Sequence, residues 1–530
     1  MSVIIRRTIN GQTYLYENVS FRNEDGNPRS KQIIIAKIDQ MTGSVIYHQE
    51  YLERMESQGT PIEKAQNERS YTESAIRKST IKKYGAFYLF RRIGEQTGLI
   101  KILKELFPKC WQQIFNIACY LVASGNPIMY CSDWIEETEA LSCRGMSPAA
   151  ISELFQKITS SERMSFFEKW WTLRSEQEYL ALDITSVSSY SELIEYVERG
   201  YNRDKEDLAQ INLCLLMGEK SGLPVFQTIY NGSLGDVSTL KTTLKLISTT
   251  IPLDQIKAVM DKGFSKTKNI NAMLEDHSGL RFLIAVPFSL TFAKQIVERE
   301  RQTIDTVTNT ILVGEDSFRG VFRECTWQKK HNVYAHIYFN PRKAVAAKED
   351  LYADIASIVE INKKFPQKAV DTKKYKKYLN IEQPDNARPE FRLTVREDAV
   401  RDALAHKGWL VILSNHIKDP IEAIYIYRAK DVVEKGFLAM KTQLDLGRLR
   451  VHSDNSMHNK AFVCFIALII RCRIHRVMLE HGLYMKMTMT RLILILEKLK
   501  VQYISGNRIL FPLTKEQKRI FDAFGVAYPQ

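Results

Sequence analysis

Two aspartates stand in segments that are otherwise apolar, and they constrain the fold of this chain more than any other feature. Asp183 lies inside the run LALDITSV, and Asp261 ends the run AVMDKG. Both runs have the length and apolar content of buried strands. A carboxylate at such a position is unfavourable unless a cation, a hydrogen-bond donor or a metal compensates it. One such Asp is more often structural, for example a cap, but two together favour a functional site.

The order of elements around these aspartates predicts a mixed sheet flanked by helices. Hydrophobic periodicity predicts three strands, a helix, a strand, a helix and a further strand. The segments are, in that order, YLALDITSV, QINLCLLMG, LPVFQTIYNG, VSTLKTTLKLIS, IKAVMDKG, NINAMLEDH and RFLIAVP. This order resembles that of the ribonuclease-H-like fold. We therefore expect an α/β fold class with such a sheet.

A predicted helix over residues 421–446 carries a third acid, Glu434. At about 100° per residue, Tyr427, Lys430, Glu434 and Lys441 fall within roughly 60° of arc on an unkinked helix. An adjacent apolar stripe can pack against the sheet. An ordinary surface helix, with Lys430 and Glu434 as an i,i+4 pair of about 0.3–0.5 kcal/mol, remains an open alternative. If the three carboxylates converge, they form an oxygen site suited to Mg²⁺ or Mn²⁺.

Length and charge favour a multidomain protein that binds a polyanion. The chain has 530 residues, with 75 Lys and Arg against 61 Asp and Glu, a net charge of +14. Such an excess favours nucleic acid before membrane. The longest apolar run, residues 461–470, is too short to span a bilayer, and the N-terminal residues predict no signal peptide. Eight scattered cysteines without a CxxC or HExxH motif predict reduced thiols in a cytoplasmic protein.

The pattern of strand-like, helical and basic segments predicts five regions, one of which is a catalytic core in two parts. They are an N-terminal small β domain (1–58), a helical domain interpreted as binding DNA ends (59–178), the catalytic core (179–290 and 421–475), an inserted strand-rich basic domain (291–420) and a C-terminal helical tail (476–530). The insertion contains a basic run from Lys363 to Lys377, with Tyr375 and Tyr378. This run is either a surface that contacts successive phosphates of the DNA backbone or a solvated loop.

The pattern Tyr427-x2-Lys430-x3-Glu434-x6-Lys441 resembles the Tyr-(2)-Arg-(3)-Glu-(6)-Lys signature of a large family of bacterial insertion-sequence DDE transposases. The segments LALDITSVSSYSE, LPVFQTIYNGSLGDVSTL and AVMDKGFSKTKNI resemble the blocks around the family's first two catalytic acids. The resemblance covers about residues 179–290 and 420–475. Two positions depart from the family: Lys430 replaces the signature's Arg, and Lys262 follows the second Asp where Arg is more usual. Lys keeps the charge but not the bidentate fork of Arg.

The resemblance implies a transposase that binds the inverted-repeat ends of a transposon, cleaves double-stranded DNA and joins its 3′-hydroxyl ends to target DNA. Asp183, Asp261 and Glu434 would be the catalytic residues and would hold two Mg²⁺ ions, which Mn²⁺ can replace. DNA contacts are expected from Tyr427, Lys430, Lys441, Lys262, Arg428 and Trp327, although local packing is the competing role for Trp327. Pairing of two ends implies a homodimer on DNA, in the cytoplasm of a bacterium or archaeon, associated with the nucleoid and not with a membrane.

Two other functions remain open on the sequence. A ribonuclease-H-like repair nuclease would use the same three acids without needing specific DNA ends. A domesticated or inactive transposase would only bind DNA, which the retention of all three acids argues against.

Overall fold

The computed structural model describes residues 3–39, 45–57, 79–174, 178–234, 236–275, 279–365, 376–382, 392–504 and 507–530. Its strands are β1 (Val3–Ile9), β2 (Gln12–Arg22), β3 (Pro28–Ile38), β4 (Val45–Tyr47), β5 (Thr80–Lys83), β6 (Leu180–Ser188), β7 (Gln210–Gly218), β8 (Pro224–Asn231), β9 (Lys257–Met260), β10 (Arg281–Val286), β11 (Thr310–Val313), β12 (Asp316–Trp327), β13 (His331–Phe339), β14 (Leu379–Glu382), β15 (Arg392–Val395), β16 (Trp409–Ser414), β17 (Lys500–Ile504) and β18 (Asn507–Leu510).

Its α-helices are α1 (Gln49–Ser57), α2 (Gly85–Gln96), α3 (Leu99–Leu106), α4 (Trp111–Ser124), α5 (Cys131–Glu137), α6 (Pro148–Lys157), α7 (Ser160–Leu173), α8 (Asp236–Ser248), α9 (Thr267–Glu275), α10 (Thr291–Glu300), α11 (Pro341–Lys364), α12 (Glu397–Leu404), α13 (Pro420–Ala429), α14 (Asp431–Gln443), α15 (Asp454–Glu480), α16 (Met489–Glu497) and α17 (Lys515–Ala523). Short 3₁₀ turns lie at Ile128–Tyr130, Leu253–Gln255, Lys262–Phe264, Lys376–Tyr378 and Leu483–Met485.

The contacts divide the chain into two compact units. The first comprises Met1–Leu89, Asp133–Ala140 and Thr490–Gln530, and the second comprises Phe90–Ser132 and Leu141–Met489. In the first unit, β1 to β4 form an antiparallel sheet in sequential order. Asn10 and Gly11 connect β1 to β2 with positive φ angles of 49° and 79°, the backbone that a tight two-residue hairpin turn requires. A second sheet of this unit has the order β18-β17-β5.

The second unit contains a nine-stranded sheet with the order β11-β12-β13-β16-β10-β9-β6-β7-β8. The strands β6, β7 and β8 are antiparallel neighbours, whereas β9 runs parallel to β6 and β10 runs parallel to β9. This is the ribonuclease-H-like arrangement expected from the order of elements, so the predicted α/β fold class is confirmed. All of β7 and nearly all of β6 is buried, which explains why both strands are apolar along their length.

The strands of the inserted segment continue this sheet. β16 pairs antiparallel with β10, and β13, β12 and β11 follow in antiparallel order. The segment also has helices α10 to α12 and the hairpin β14–β15, with a small apolar cluster of its own that includes Ile355 and the buried Tyr378. Residues 366–375 of the predicted basic run, with Tyr375, lie outside the described residues.

Helix α15 forms the centre of the helical layer of the second unit. Its residues from Asn459 to Ile470 are all buried, and Phe462 and Phe465 pack against Phe166 and Phe167 of α7. A helix that is apolar on every side is expected in such a core. Within the described residues, no helix taken singly has the length and apolar content to cross a bilayer. Among these residues, one bent pair of successive segments, Trp111–Ser124 and Ile128–Glu137, has that length and apolar content when the two are taken together.

Candidate active site

Asp183 projects from the middle of β6 toward the helix that carries Glu434. Its cross-strand partner is Leu215 of β7, and its Oδ1 accepts a hydrogen bond from the N–H of Ile184 at 2.8 Å. The pKa of Asp183 is raised to about 6. Burial is the main cause and the charge of Asp261 a smaller one, and both outweigh the lowering effect of that N–H and of the cations Arg203 and Lys430. The carboxyl therefore lies where a negative charge is incompletely compensated.

Asp261 directly follows β9, the strand next to the one that carries Asp183. The parallel register of β6 and β9 pairs Leu182 with Met260, and each aspartate is the residue that follows one member of this pair; the two strands run about 4.8 Å apart. Asp261 lies between the end of β9 and the 3₁₀ turn Lys262–Phe264. Its Oδ1 accepts a hydrogen bond from the hydroxyl of Tyr427 at 2.9 Å. The parallel pairing thus brings together two acids that are far apart in the sequence.

The helix that carries the signature is interrupted at Lys430. We predicted one uninterrupted helix, but α13 ends at Ala429 and α14 begins at Asp431. No Gly or Pro lies near the break, so its cause is packing: α13 contacts β9, β10, β12 and β13, whereas α14 contacts β6 and β7. Glu434 thereby enters the first turn of α14, the helix that packs on the strand of Asp183. The break also removes the basis for placing Tyr427 and Lys441 on one stripe of a straight helix.

Gly436 allows α14 to approach β7 closely. A Cβ atom at this position would lie 2.3 Å from Sδ of Met217 and 3.1 Å from Cδ2 of Leu215. Both distances are below ordinary van der Waals contact, so with any larger residue either the side chains of Met217 and Leu215 would have to move or helix and strand would separate. Leu215 is the cross-strand neighbour of Asp183, so this packing sets the separation between Glu434 and the first acid.

The ammonium group of Lys430 lies among the three acids. Its Nζ is 3.0 Å from Oε1 of Glu434 and 3.9 Å from Oδ1 of Asp261. These two carboxyl oxygens are therefore no further apart than the sum of the two distances. Burial works to lower the pKa of Lys430, but the negative charges of Asp261, Glu434 and Asp183 raise it overall. The acids on β6, after β9 and on α14 are thus gathered around one positive charge.

The chemistry of these side chains fits a divalent cation. Carboxylate oxygens are the ligands that Mg²⁺ prefers, and the pKa of Asp183 is raised mainly because burial disfavours its charged form. Among the described residues, no three His, Cys, Asp or Glu side chains lie close enough to hold an ion as they stand. Instead, the acids surround the ammonium of Lys430. These acids would therefore hold a cation in competition with this ammonium.

The other predicted site residues lie in different surroundings. Lys441 donates to both carboxyl oxygens of Asp204, at 2.6 and 2.9 Å, and exposed Lys262 directly follows Asp261. Arg428 donates to Oδ2 of Asp316 at 2.7 Å and lies against the ring of Phe318.

Trp327 is buried, with 3% exposure, and its indole N–H donates to Asn271 at 2.7 Å. Its ring is not accessible to a base in this structure.

Two features of the site were missed in the sequence. The charge of Arg203, from the connection between β6 and β7, lowers the pKa of Asp183. A cleft of about 360 Å³ beside the end of α14 is lined by the cations Lys441, Arg448 and Arg450, with Asp445 among them. The unusual length of the β6–β7 connection was the available signal for Arg203. No spacing rule pointed to the cleft, because its cations lie on a helix and on the irregular segment that follows.

One of the comparisons with known proteins agrees with this geometry. A family model described as a transposase DDE domain matches residues 174–470, which include all three acids. No curated protein matched the chain. One solved structure that aligns with the chain is a cryo-EM structure of the piggyBac transposase synaptic complex with hairpin DNA. The alignment has a TM-score of 0.34 and 8% sequence identity, and it covers 72% of this chain and 69% of that chain. This similarity is too low to support a statement about function. Because the family match spans more than half of the chain and includes the whole acidic site, the chain belongs to this family and is a DDE transposase, as its resemblance predicted.

Proposed function

We propose that this transposase moves an insertion sequence by binding its inverted-repeat ends, cleaving DNA phosphodiesters and joining the 3′-hydroxyl ends to target DNA. The observation that carries the proposal is the convergence of Asp261 and Glu434, with Asp183 beside them, on the ammonium of Lys430. Three acids from separate elements around one cation are expected at a site that catalyses phosphoryl transfer.

In this proposal Asp183, Asp261 and Glu434 would hold two Mg²⁺ ions, which Mn²⁺ can replace. When bound, the ions supply Lewis-acid activation of the attacking oxygen and stabilisation of the leaving one. Tyr427 orients Asp261 through its hydroxyl. Lys430 would neutralise a phosphate oxygen of the DNA beside these acids.

The cleft lined by Lys441, Arg448 and Arg450 is the surface that best suits the DNA backbone near these acids. Lys262, next to Asp261, can contribute a further phosphate contact. Trp327 is a weaker candidate for DNA contact because its ring is buried. Arg428 remains a candidate, since its pairing with Asp316 is matched by the carboxylate partners that the three cleft cations also have. We further propose that the protein works as a homodimer on DNA, in the cytoplasm of a bacterium or archaeon and close to the nucleoid.

The proposal is tested with DNA carrying the inverted repeats that flank the gene. We expect Mg²⁺-dependent cleavage and strand transfer by the unaltered protein. Asp183→Asn, Asp261→Asn and Glu434→Gln should each abolish both reactions while leaving end binding nearly intact. Exchange of Mg²⁺ for Fe²⁺ with ascorbate and peroxide gives a readout independent of activity, because local radical cleavage should cut the polypeptide near residues 183, 261 and 434.

The outcomes separate the proposal from its competitors. End binding without cleavage by the unaltered protein would indicate a transposase that only binds DNA. Cleavage without preference for the repeats and without strand transfer would indicate a repair nuclease. Wild-type cleavage by any one of the three variants would remove that residue from the site.

A further inference from the structure

The connection between β6 and β7, residues 189–209, is an acidic segment of a basic chain. It carries six carboxylates against three cations, whereas the whole chain has a net charge of +14. Two residues can join antiparallel neighbours, and connections as long as this one, without helices or strands, are uncommon and usually functional or linkers. An excess of acids near a site that we propose to bind DNA opposes that binding, so it requires a physical reason.

Two acids of this connection reach the cleft beside the end of α14. Asp204 accepts two hydrogen bonds from Nζ of Lys441, at 2.6 and 2.9 Å. Glu206 pairs with Arg448 at 2.5 Å. Lys441 and Arg448 both line the cleft of about 360 Å³ that we propose for the DNA backbone. Two of the three cations of the cleft are therefore held by carboxylates from a single segment.

The turn that carries Asp204 is fixed to β6. Oδ1 of Asn202 accepts hydrogen bonds from the backbone N–H of Asp204 at 2.8 Å and from that of Glu206 at 3.4 Å. The side-chain amide of Asn202 donates to Oγ of Ser188 on β6 at 3.0 Å, and this hydroxyl donates to Glu206 at 2.5 Å. Because the turn is already ordered, Asp204 loses little conformational entropy when it pairs with Lys441.

The two ion pairs differ in how readily a phosphate can replace the carboxylate. Glu206 is bound by both Arg448 and Ser188, and these hydrogen bonds lower its pKa. Among the described side chains, Lys441 is the one that donates to the carboxylate of Asp204, which is 41% exposed. Lys441 itself is only 16% exposed. A phosphate oxygen accepts the same charge-assisted hydrogen bonds as a carboxylate, so DNA can take the place of Asp204.

We propose that the β6–β7 connection is an internal competitor of DNA, in which Asp204 occupies Lys441 until a phosphate of the DNA backbone displaces it. The inference rests on the proposed function and adds an autoinhibitory contact to it. Glu206, bonded to both Ser188 and Arg448, anchors the connection, and Asp204 is the group that exchanges. Part of the binding energy of DNA is used to release Lys441, so DNA that makes few other contacts is bound more weakly.

The test measures the affinity for a DNA duplex that carries the inverted repeat, with EDTA present so that no cleavage occurs. Asp204→Asn keeps the size of the side chain but removes its charge, and it should bind the duplex about 2- to 5-fold more tightly than the unaltered protein. The gain should shrink as salt is added, because screening weakens the pair. Asp207→Asn removes the same charge from the same connection, where Asp207 pairs with Arg199 and not with a cleft cation, and should leave the affinity unchanged.

A double variant shows whether Asp204 acts through Lys441. In a Lys441→Met background, Asp204→Asn should bring no gain in affinity, because the cation for which it competes is absent. An affinity of Asp204→Asn equal to or below that of the unaltered protein would overturn the inference, as would an equal gain in Asp207→Asn or a gain that persists without Lys441.

The proposed function is judged from a separate measurement. Cleavage and strand transfer by the unaltered protein are followed with Mg²⁺ on the same duplex. Their absence, together with tighter binding by Asp204→Asn, would overturn the proposed enzymatic function and leave the competition between Asp204 and DNA standing. Failure of the unaltered protein and of every variant to bind the duplex would overturn both.

Discussion

The ammonium Nζ of Lys430 lies 3.0 Å from Oε1 of Glu434, four residues further along the chain. An i,i+4 pair on a helix surface would contribute little. This pair is different, because the Lys430 side chain is only 14% exposed and also lies 3.9 Å from Asp261. Lys430 thus compensates the charge of a site whose other members come from two strands of the sheet.

Replacement of Lys430 by Met should strengthen the binding of divalent cations. Without the ammonium, the three acids keep their negative charge and lose their competitor for an added ion. The metal-free protein should lose about 1–2 kcal/mol of unfolding free energy from uncompensated repulsion. Calorimetric titration with Mn²⁺ checks the affinity. Lys435→Met, at an exposed position of the same helix, is the control, and Lys430→Arg should behave like the unaltered protein. An unchanged Mn²⁺ affinity in Lys430→Met would contradict this role.

Asp183→Asn should stabilise the metal-free protein while it abolishes cleavage. The pKa of Asp183 is raised from 3.8 to about 6, so at pH 7 the folded protein carries a carboxylate that its surroundings disfavour. A raised acid pKa means that the folded state binds the proton more tightly, so this residue lowers stability as pH rises from about 4 to about 6. Asn removes the effect, and we expect a gain of about 1–3 kcal/mol at pH 7.

Denaturant unfolding of Asp183→Asn and the unaltered protein, followed at several pH values without metal, measures this gain. The difference in unfolding free energy between the two proteins should be largest at pH 7 and shrink toward pH 4. A difference that does not vary with pH would show that the carboxyl is not the cause.

His336 should make the second unit sensitive to acid. This histidine is fully buried in β13, its Nε2 lies 3.2 Å from the carbonyl oxygen of Ile417, and burial lowers its pKa from 6.5 to about 4. Because the unfolded chain takes up the proton first, stability is lost as pH falls from about 6.5 toward 4. The unaltered protein should lose up to about 1.4 kcal/mol per pH unit more than His336→Gln in this range. Urea unfolding across the range checks it, and parallel pH profiles would refute the assignment.

Gly436→Ala should separate α14 from β7. Ala in a helix normally stabilises by roughly 0.8–1 kcal/mol relative to Gly, but here the added methyl would overlap Met217 and crowd Leu215. We expect a net loss of about 1–3 kcal/mol in unfolding free energy and slower cleavage, because Glu434 is displaced from Asp183.

The matched control is the double variant Gly436→Ala with Met217→Ala, which provides space for the methyl group. It should recover cleavage relative to Gly436→Ala. If the single variant is as stable and active as the unaltered protein, the close approach is not required.

The sequence predicted much of the second unit, for physical reasons that are local. Strands β6 and β7 are continuous apolar runs, and Ser147 caps α6 by accepting from Ala150 as expected from its position before Pro148. The acids were found because carboxylates in such runs are rare. In the first unit, helix α1 was missed because its short sequence lies among strand-like segments.

What could not be predicted depends on contacts between distant residues. The break at Lys430 has no local cause, since it arises where α13 and α14 pack on different strands. The Lys441–Asp204 pair joins residues 237 positions apart, and no spacing indicates it. The roles proposed for the site residues, the five-region division and the basic run around residues 363–377 remain predictions.

The pairing of β16 with β10 has a consequence for any shortened form of this enzyme. The backbone of β10 has β9 on one side and, on the other, only strands from the inserted segment. Removal of residues 291–420 would therefore leave β10 as an unpaired edge strand, with exposed amide and carbonyl groups. Edge strands of this kind promote aggregation. A shortened enzyme could arise only if another chain segment, or a neighbouring molecule, took over the hydrogen bonds that β16 now makes.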